Sequence, residues 1–179
     1  MLIAQKKRKE NIAEYILYLY QVEDLIRAFR LDMDLINQNL IPGYQADEKT
    51  AREISAWYEN LVVMLRKEGK HEKGHLQFLT NLIGELHEFH LRMLETKEDR
   101  MYVPIFQAVA GLLAELKQKN PNAASDVEVA IDGIYGYLLL KMQKKEITPE
   151  TEEAIKRLSH WLGHLSGLFR KYEKGDLEF

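Results

Sequence analysis

From Glu10 to Leu40 the chain contains neither Gly nor Pro, and Ile12, Tyr15, Leu19, Val22, Ile26, Phe29, Met33 and Ile36 recur every three or four residues. That is the period of one face of an α-helix, and a stripe this long must be buried against other helices. The pattern predicts one long core helix, or two joined at Leu31 to Asp34. Helical spacing also sets Glu23, Arg27 and Arg30 on the shoulder of the stripe, the nearest approach to a polar cluster facing the interior.

The rest of the chain repeats the pattern. Ile41-Pro42-Gly43-Tyr44 reads as a turn, because Pro fixes φ and Gly permits positive φ. Asp47 or a neighbour is placed to cap a helix running to about Lys67, with Ile54, Trp57, Tyr58, Leu61, Val62 and Leu65 on its buried face and Gly69 closing it. Glu68 to Gly74 reads as a loop. A third helix carries Leu76, Leu79, Ile83, Leu86, His90, Met93 and Leu94. A fourth begins near Tyr102 with Pro104 in its first turn and stops at Asn120-Pro121-Asn122. Ser125 or Asp126 caps a fifth, whose segment from Ile131 to Met142 is apolar on nearly every side and is predicted at the centre of the packing. Gly133 and Gly136 interrupt that segment at a cost in helix propensity of up to about 1 kcal/mol each, which points to a close neighbour. Thr148-Pro149-Glu150 joins an N-cap hydroxyl, a Pro at the first helical position and acids in the first turn, and opens a last helix to about Tyr172. The expected fold is all-α: a single compact bundle of about six antiparallel helices in one domain covering residues 1–179.

Composition agrees with that class and removes several functions. Ten Gly and four Pro in 179 residues are too few for the turns of an all-β fold. The absence of Cys excludes disulfides, thiolate catalysis and thiolate metal sites. A net charge of −3, with both signs spread along the chain, supplies no field that would recruit nucleic acid. Lys6-Lys7-Arg8-Lys9, read as a basic run ahead of the first helix, is too short to change this. The order of the N-terminus, apolar at Met1 to Ala4 and then basic, reverses that of a secretory signal, and no apolar run is long enough to span a membrane. No membrane association and a cytoplasmic location are expected.

The six histidines fall in three pairs: His71 with His75, His87 with His90, and His160 with His164. Glu72-Lys73-Gly74-His75 matches one Glu-x-x-His pair of a di-iron bundle, but that site needs the motif twice plus two further Glu. His87-Glu88-Phe89-His90 has the wrong spacing for a zinc-protease helix. No metal, cofactor or catalytic residue is expected. A helical wheel puts His160 and His164 opposite the apolar stripe of the last helix, in solvent or at an interface. His90 lies within a stripe of leucines and must find a hydrogen-bond partner there or remain neutral at some cost. Arg27, held by Glu23 or Asp24, is able to present its planar fork to a carboxylate or phosphate.

Gln5-Lys6-Lys7-Arg8-Lys9-Glu10-Asn11-Ile12-Ala13-Glu14-Tyr15-Ile16-Leu17-Tyr18, the following Gln21-Val22-Glu23-Asp24-Leu25-Ile26-Arg27 and the later His87 to His90 segment resemble an uncharacterised family of small helical proteins from Bacteroides-type bacteria. That family is carried as a domain of unknown function, so the resemblance implies a bacterial cytosolic helical protein and supplies no activity. Two functional expectations remain. The first is a non-enzymatic binding or protein-interaction module, self-associating or holding another protein, with the polar edge of the first helix in its partner surface. The alternative is a small-molecule or metal site in a polar pocket between the first and third helices. Glu23, Arg27, Arg30, His87 and His90 are the candidate binding residues.

Overall fold

The stretch with the unbroken apolar period is two helices with a turn close to the predicted joint at Leu31 to Asp34, and a further short helix precedes it, so the bundle has more helices than the six expected. The computed structural model describes residues 2–179 and contains, among them, eight α-helices, one short 3-10 turn and no strand. Met1 lies outside the described residues. The first helices are α1 (Leu2–Glu10), α2 (Ile12–Ala28) and α3 (Met33–Asn39). Asn11 separates α1 from α2: its backbone is extended at φ −154° and its side chain accepts from the Glu14 N–H, the geometry of an N-cap. Lys6 to Lys9 therefore belong to α1 instead of preceding the first helix. Arg8 there donates twice to the Glu173 carboxylate, at 3.0 and 2.6 Å, and Lys7 reaches Glu14 at 3.1 Å.

Between α2 and α3 the chain turns through Arg30 and Leu31, each at φ +57°. The Leu31 N–H bonds back to the Ile26 carbonyl, and the Asp32 carboxylate accepts from the N–H groups of Asp34 and Leu35 to start α3. Leu31 is itself buried, so the apolar period runs through the turn and conceals it.

A 3-10 turn over Ile41–Tyr44 leads to α4 (Glu48–Lys67), followed by α5 (Gln77–Thr96), α6 (Tyr102–Lys119), α7 (Asp126–Met142) and α8 (Pro149–Glu173). Asp47, Ser125 and Thr148 cap α4, α7 and α8 through their side-chain oxygens, and Gly69, at φ +67°, follows the end of α4. Each starts its helix by satisfying an otherwise orphaned N–H. Helix α8 is the hub, in contact with α1, α2, α5, α6 and α7, while α4 packs on α2, α3 and the 3-10 turn. Buried side chains from Ile12 to Phe169 form one continuous hydrophobic core, in which Trp161, Tyr20, Tyr58 and Tyr102 are the largest fully buried groups.

Helix α7 departs from its expected place. Ile131, Ile134 and Tyr135 are buried, but Leu140 is 38% exposed and Met142 68%. Only the first half of α7 is therefore core. Gly133 has the close neighbour its sequence implied: a Cβ there would lie 3.3 Å from Leu116 Cδ1 and 3.8 Å from Leu158 Cδ1. Gly136 has open space where a Cβ would stand.

Candidate functional site

The polar shoulder of α2 is spent inside the molecule. Glu23 is 1% exposed; one carboxylate oxygen accepts from the Leu76 N–H at 2.9 Å and the other lies 2.6 Å from His75 Nδ1. Leu76 is the N-terminal flank of α5 and has no side-chain oxygen of its own to cap that helix. Glu23 supplies the acceptor from a different helix, and its charge sits at the favourable end of the α5 dipole. The His75 ring stacks flat on Tyr20, centres 3.4 Å apart and planes 5° from parallel. Arg27 donates to the carbonyls of Lys70, at 3.2 Å, and Gly74, and to Asp24 at 2.8 Å. Tyr135 of α7 donates to the other Asp24 oxygen at 2.6 Å. The fork expected to meet an outside anion thus holds the loop between α4 and α5. Arg30 stands exposed at the left-handed turn.

Asp132 of α7 faces the same region and accepts from Asn120 at 2.8 Å. Burial, helped by the charge of Glu128, pushes its carboxyl above the usual range against the opposing influence of His75.

The second polar centre lies farther along α5. His90 is fully buried, and its Nδ1 is 2.6 Å from the Tyr102 hydroxyl, which Trp161 Nε1 also reaches at 3.3 Å. Phe106 and Trp161 close on the ring, with centres at 4.6 and 5.3 Å. Burial, and secondarily His87, push the His90 pKa down to about 4. His164 is half-buried, bonds Asp99 at 3.1 Å and stacks on Tyr102, while His160 is exposed as expected. Burial is the largest single influence on the Asp99 carboxyl and raises it, but His164 and the backbone N–H groups of Met101 and Tyr102 together outweigh this and hold it below its usual range.

The structure does not bring the five candidate residues together. Glu23 meets α5 at Leu76, whereas His87 and His90 stand 11 and 14 residues further on, about 16 and 21 Å along a helix axis. Glu23 and Arg27 form one knot, His87 and His90 belong to another, and Arg30 joins neither. Sequence reasoning missed His75, Tyr102, Trp161 and Asp132. Nothing in the spacing along the chain ties His75 to Glu23 or Trp161 to Tyr102; only Asn120 and Asp132, flanking one short loop, were close enough to suspect. Among the described residues, no group of three or more His, Cys, Asp or Glu side chains is placed to hold a metal ion.

The exposed half of α7 borders a groove of about 480 Å³ between α6, α7 and α8. Leu112, Leu116, Tyr137, Leu140, Ile155 and Leu158 line it together with Gly133 and Gly136, and Glu115, Lys119 and Glu150 are its charged residues. Beyond it, the end of α7 and the following turn present Lys141, Lys144 and Lys145, and the start of α8 presents Glu150, Glu152 and Glu153, all exposed. Among the described residues no helix is long and apolar enough to cross a membrane.

No curated protein and no solved structure matches the chain. The family described as a domain of unknown function, DUF4924, matches residues 1–176, and the chain, helical throughout as its resemblance implied, belongs to that family.

Proposed function

We propose that this chain is a helical protein-interaction module that pairs with a second copy of itself through the groove between α6, α7 and α8. The observation that carries the reading is the exposure of Leu140 on the wall of an apolar groove, with Met142 exposed two residues further on. Large apolar side chains grouped at a cleft mark contact surfaces more often than scattered ones do. The polar edge of α2 lies outside this surface, since Glu23 and Arg27 there are engaged within the chain.

Charge supports a second copy as the occupant. A two-fold interface is self-complementary, so each residue of one copy meets a different residue of the other. The groove itself carries charges of both signs, Lys119 at the end of α6 and Glu150 at the start of α8, and exposed Lys141, Lys144 and Lys145 follow Leu140 in the chain while exposed Glu152 and Glu153 follow Glu150. Both signs at one groove allow a second copy to pair its basic side chains with the acidic ones of the first. The family resemblance and the Cys-free composition support placing the module in the cytosol of a Bacteroides-type bacterium.

Light scattering coupled to size-exclusion chromatography tests the pairing. The 21.0 kDa chain is expected at twice its mass, and Leu140→Glu/Met142→Glu at its single mass with unchanged helicity. A wild-type protein that runs at the single mass at every concentration overturns the reading.

A further inference from the structure

The outer face of α6 lacks what a surface helix ordinarily carries there. From Tyr102 to Ala114 the helix has no charged side chain, although Pro104, Gln107, Ala108 and Ala114 are exposed. A helix at the rim of a bundle usually turns charged residues to solvent, and their omission marks this face for contact with something apolar.

Against the first turns of α6 lies a pocket of about 440 Å³, shared with α8. Its size is within that of small-molecule sites, about 300–1,000 Å³. Pro104, Ile105, Ala108 and Val109 form the α6 wall, with Ile105 half-buried and Val109 buried. The α8 wall is polar: Glu153, Lys156, Arg157 and His160, all exposed. The pocket shares no lining residue with the groove between α6, α7 and α8.

Charge identifies the class of ligand. Lys156 lies 4.0 Å from Glu153, a loose pair worth little at an exposed site. Among the described residues, Arg157 and His160 have no hydrogen-bond or ion-pair partner. Lys156 and Arg157 against Glu153 leave one positive charge on the polar wall. A single negative charge balances it, and a guanidinium presents paired donors in the planar arrangement that a carboxylate accepts. The opposite wall receives the rest of the molecule, because apolar groups brought together there leave water.

We propose that this pocket binds a small amphiphilic carboxylate, a monoanion with a short apolar body. The carboxylate sits on Arg157, assisted by Lys156 and His160, and the body lies against Ile105, Ala108 and Val109. Both parts are needed. A bare anion gains nothing from the α6 wall, and a neutral alcohol leaves the cations unpaired.

Titration of the full-length, methyl-labelled protein with octanoate, 1-octanol and acetate at pH 7, followed by proton–carbon correlation spectra, tests the site. Octanoate is expected to shift the Ile105, Ala108 and Val109 methyl signals saturably, and 1-octanol and acetate to bind about tenfold more weakly or less, as the loss of a charged hydrogen-bond partner or of the apolar contact requires. Arg157→Gln is expected to weaken octanoate by a similar factor and to leave 1-octanol unchanged. The proposal is overturned if millimolar octanoate shifts none of these methyls, if 1-octanol or acetate binds as tightly, if Arg157→Gln leaves octanoate binding unchanged, or if the shifts fall instead on Leu112 and Leu140 in the other groove. The wild-type comparison of the three compounds decides even if the variant fails to fold.

Discussion

Glu23 shows how a charged side chain near an apolar stripe comes to hold a fold together. Its carboxylate serves as the cap that α5 lacks, and its second oxygen fixes the His75 ring against Tyr20. Glu23→Ala would leave the buried Leu76 N–H unpaired and is expected to cost about 1–3 kcal/mol in urea denaturation, as the loss of a buried partner does. Glu23→Gln retains an acceptor for that N–H and is expected to lose less than the Ala variant. Equal losses would mean that the cap contributes nothing. His90 contributes a pH dependence of its own. Its pKa is lowered from 6.5 to about 4, so as pH falls from about 6.5 towards 4 the unfolded chain takes up a proton there that the folded chain refuses. Folding stability contributed by this group is complete above pH 6.5 and declines below it, by on the order of 2–3 kcal/mol at pH 4. His90→Phe is expected to be less stable at pH 7, because Tyr102 loses its acceptor, and to lack this part of the acid slope. Denaturation curves at pH 7, 5.5 and 4.5 for both proteins check this; parallel pH profiles would count against it. That His90 would need a partner was legible from its leucine neighbours, but that the partner is Tyr102 was not, because that contact is made by folding.

At the level of the helix, the sequence was most informative where a side chain satisfies its own backbone. Asp47, Ser125 and Thr148 cap α4, α7 and α8 as their positions implied, since an N-cap acts over three residues and needs no tertiary partner. The break between α2 and α3 could be placed near Leu31 to Asp34 but not told from a continuous helix. Leu31 keeps the apolar period while adopting φ +57°, a conformation that only the surrounding packing selects. Hydrophobicity alone misplaced the second half of α7, because periodicity reports which residues are apolar and not whether a neighbour exists to cover them. Its two glycines separate these effects. Gly136→Ala gains helix propensity against open space and is expected to stabilise the protein by about 0.5–1 kcal/mol. Gly133→Ala has the same gain, but its Cβ must displace Leu116 Cδ1 from 3.3 Å, so its melting temperature is expected to rise less or to fall. Equal shifts in thermal denaturation would mean that the α6–α7 approach at Gly133 is not tight.

For the whole molecule, the placement of α8 decides what is left for a partner. Helix α8 is covered by α1, α2, α5, α6 and α7, and α2 is tied to the α4–α5 loop by Glu23 and Arg27. The polar contacts that the sequence displayed on α2 thus close the protein on itself, and the apolar surface assigned to its centre borders an open groove. The proposed pairing across that groove would link folding to assembly. A partner that binds only the folded chain stabilises it by mass action, so the melting temperature rises with protein concentration. Wild-type protein is expected to show this rise over a hundredfold range of concentration. Leu140→Glu/Met142→Glu is expected to melt at one temperature throughout that range, close to the wild-type value at the lowest concentration, because both side chains are already exposed in the single chain and the substitutions remove little from its core. Calorimetry at matched concentrations distinguishes this from simple destabilisation, which would lower the variant by the same amount at every concentration and preserve the slope.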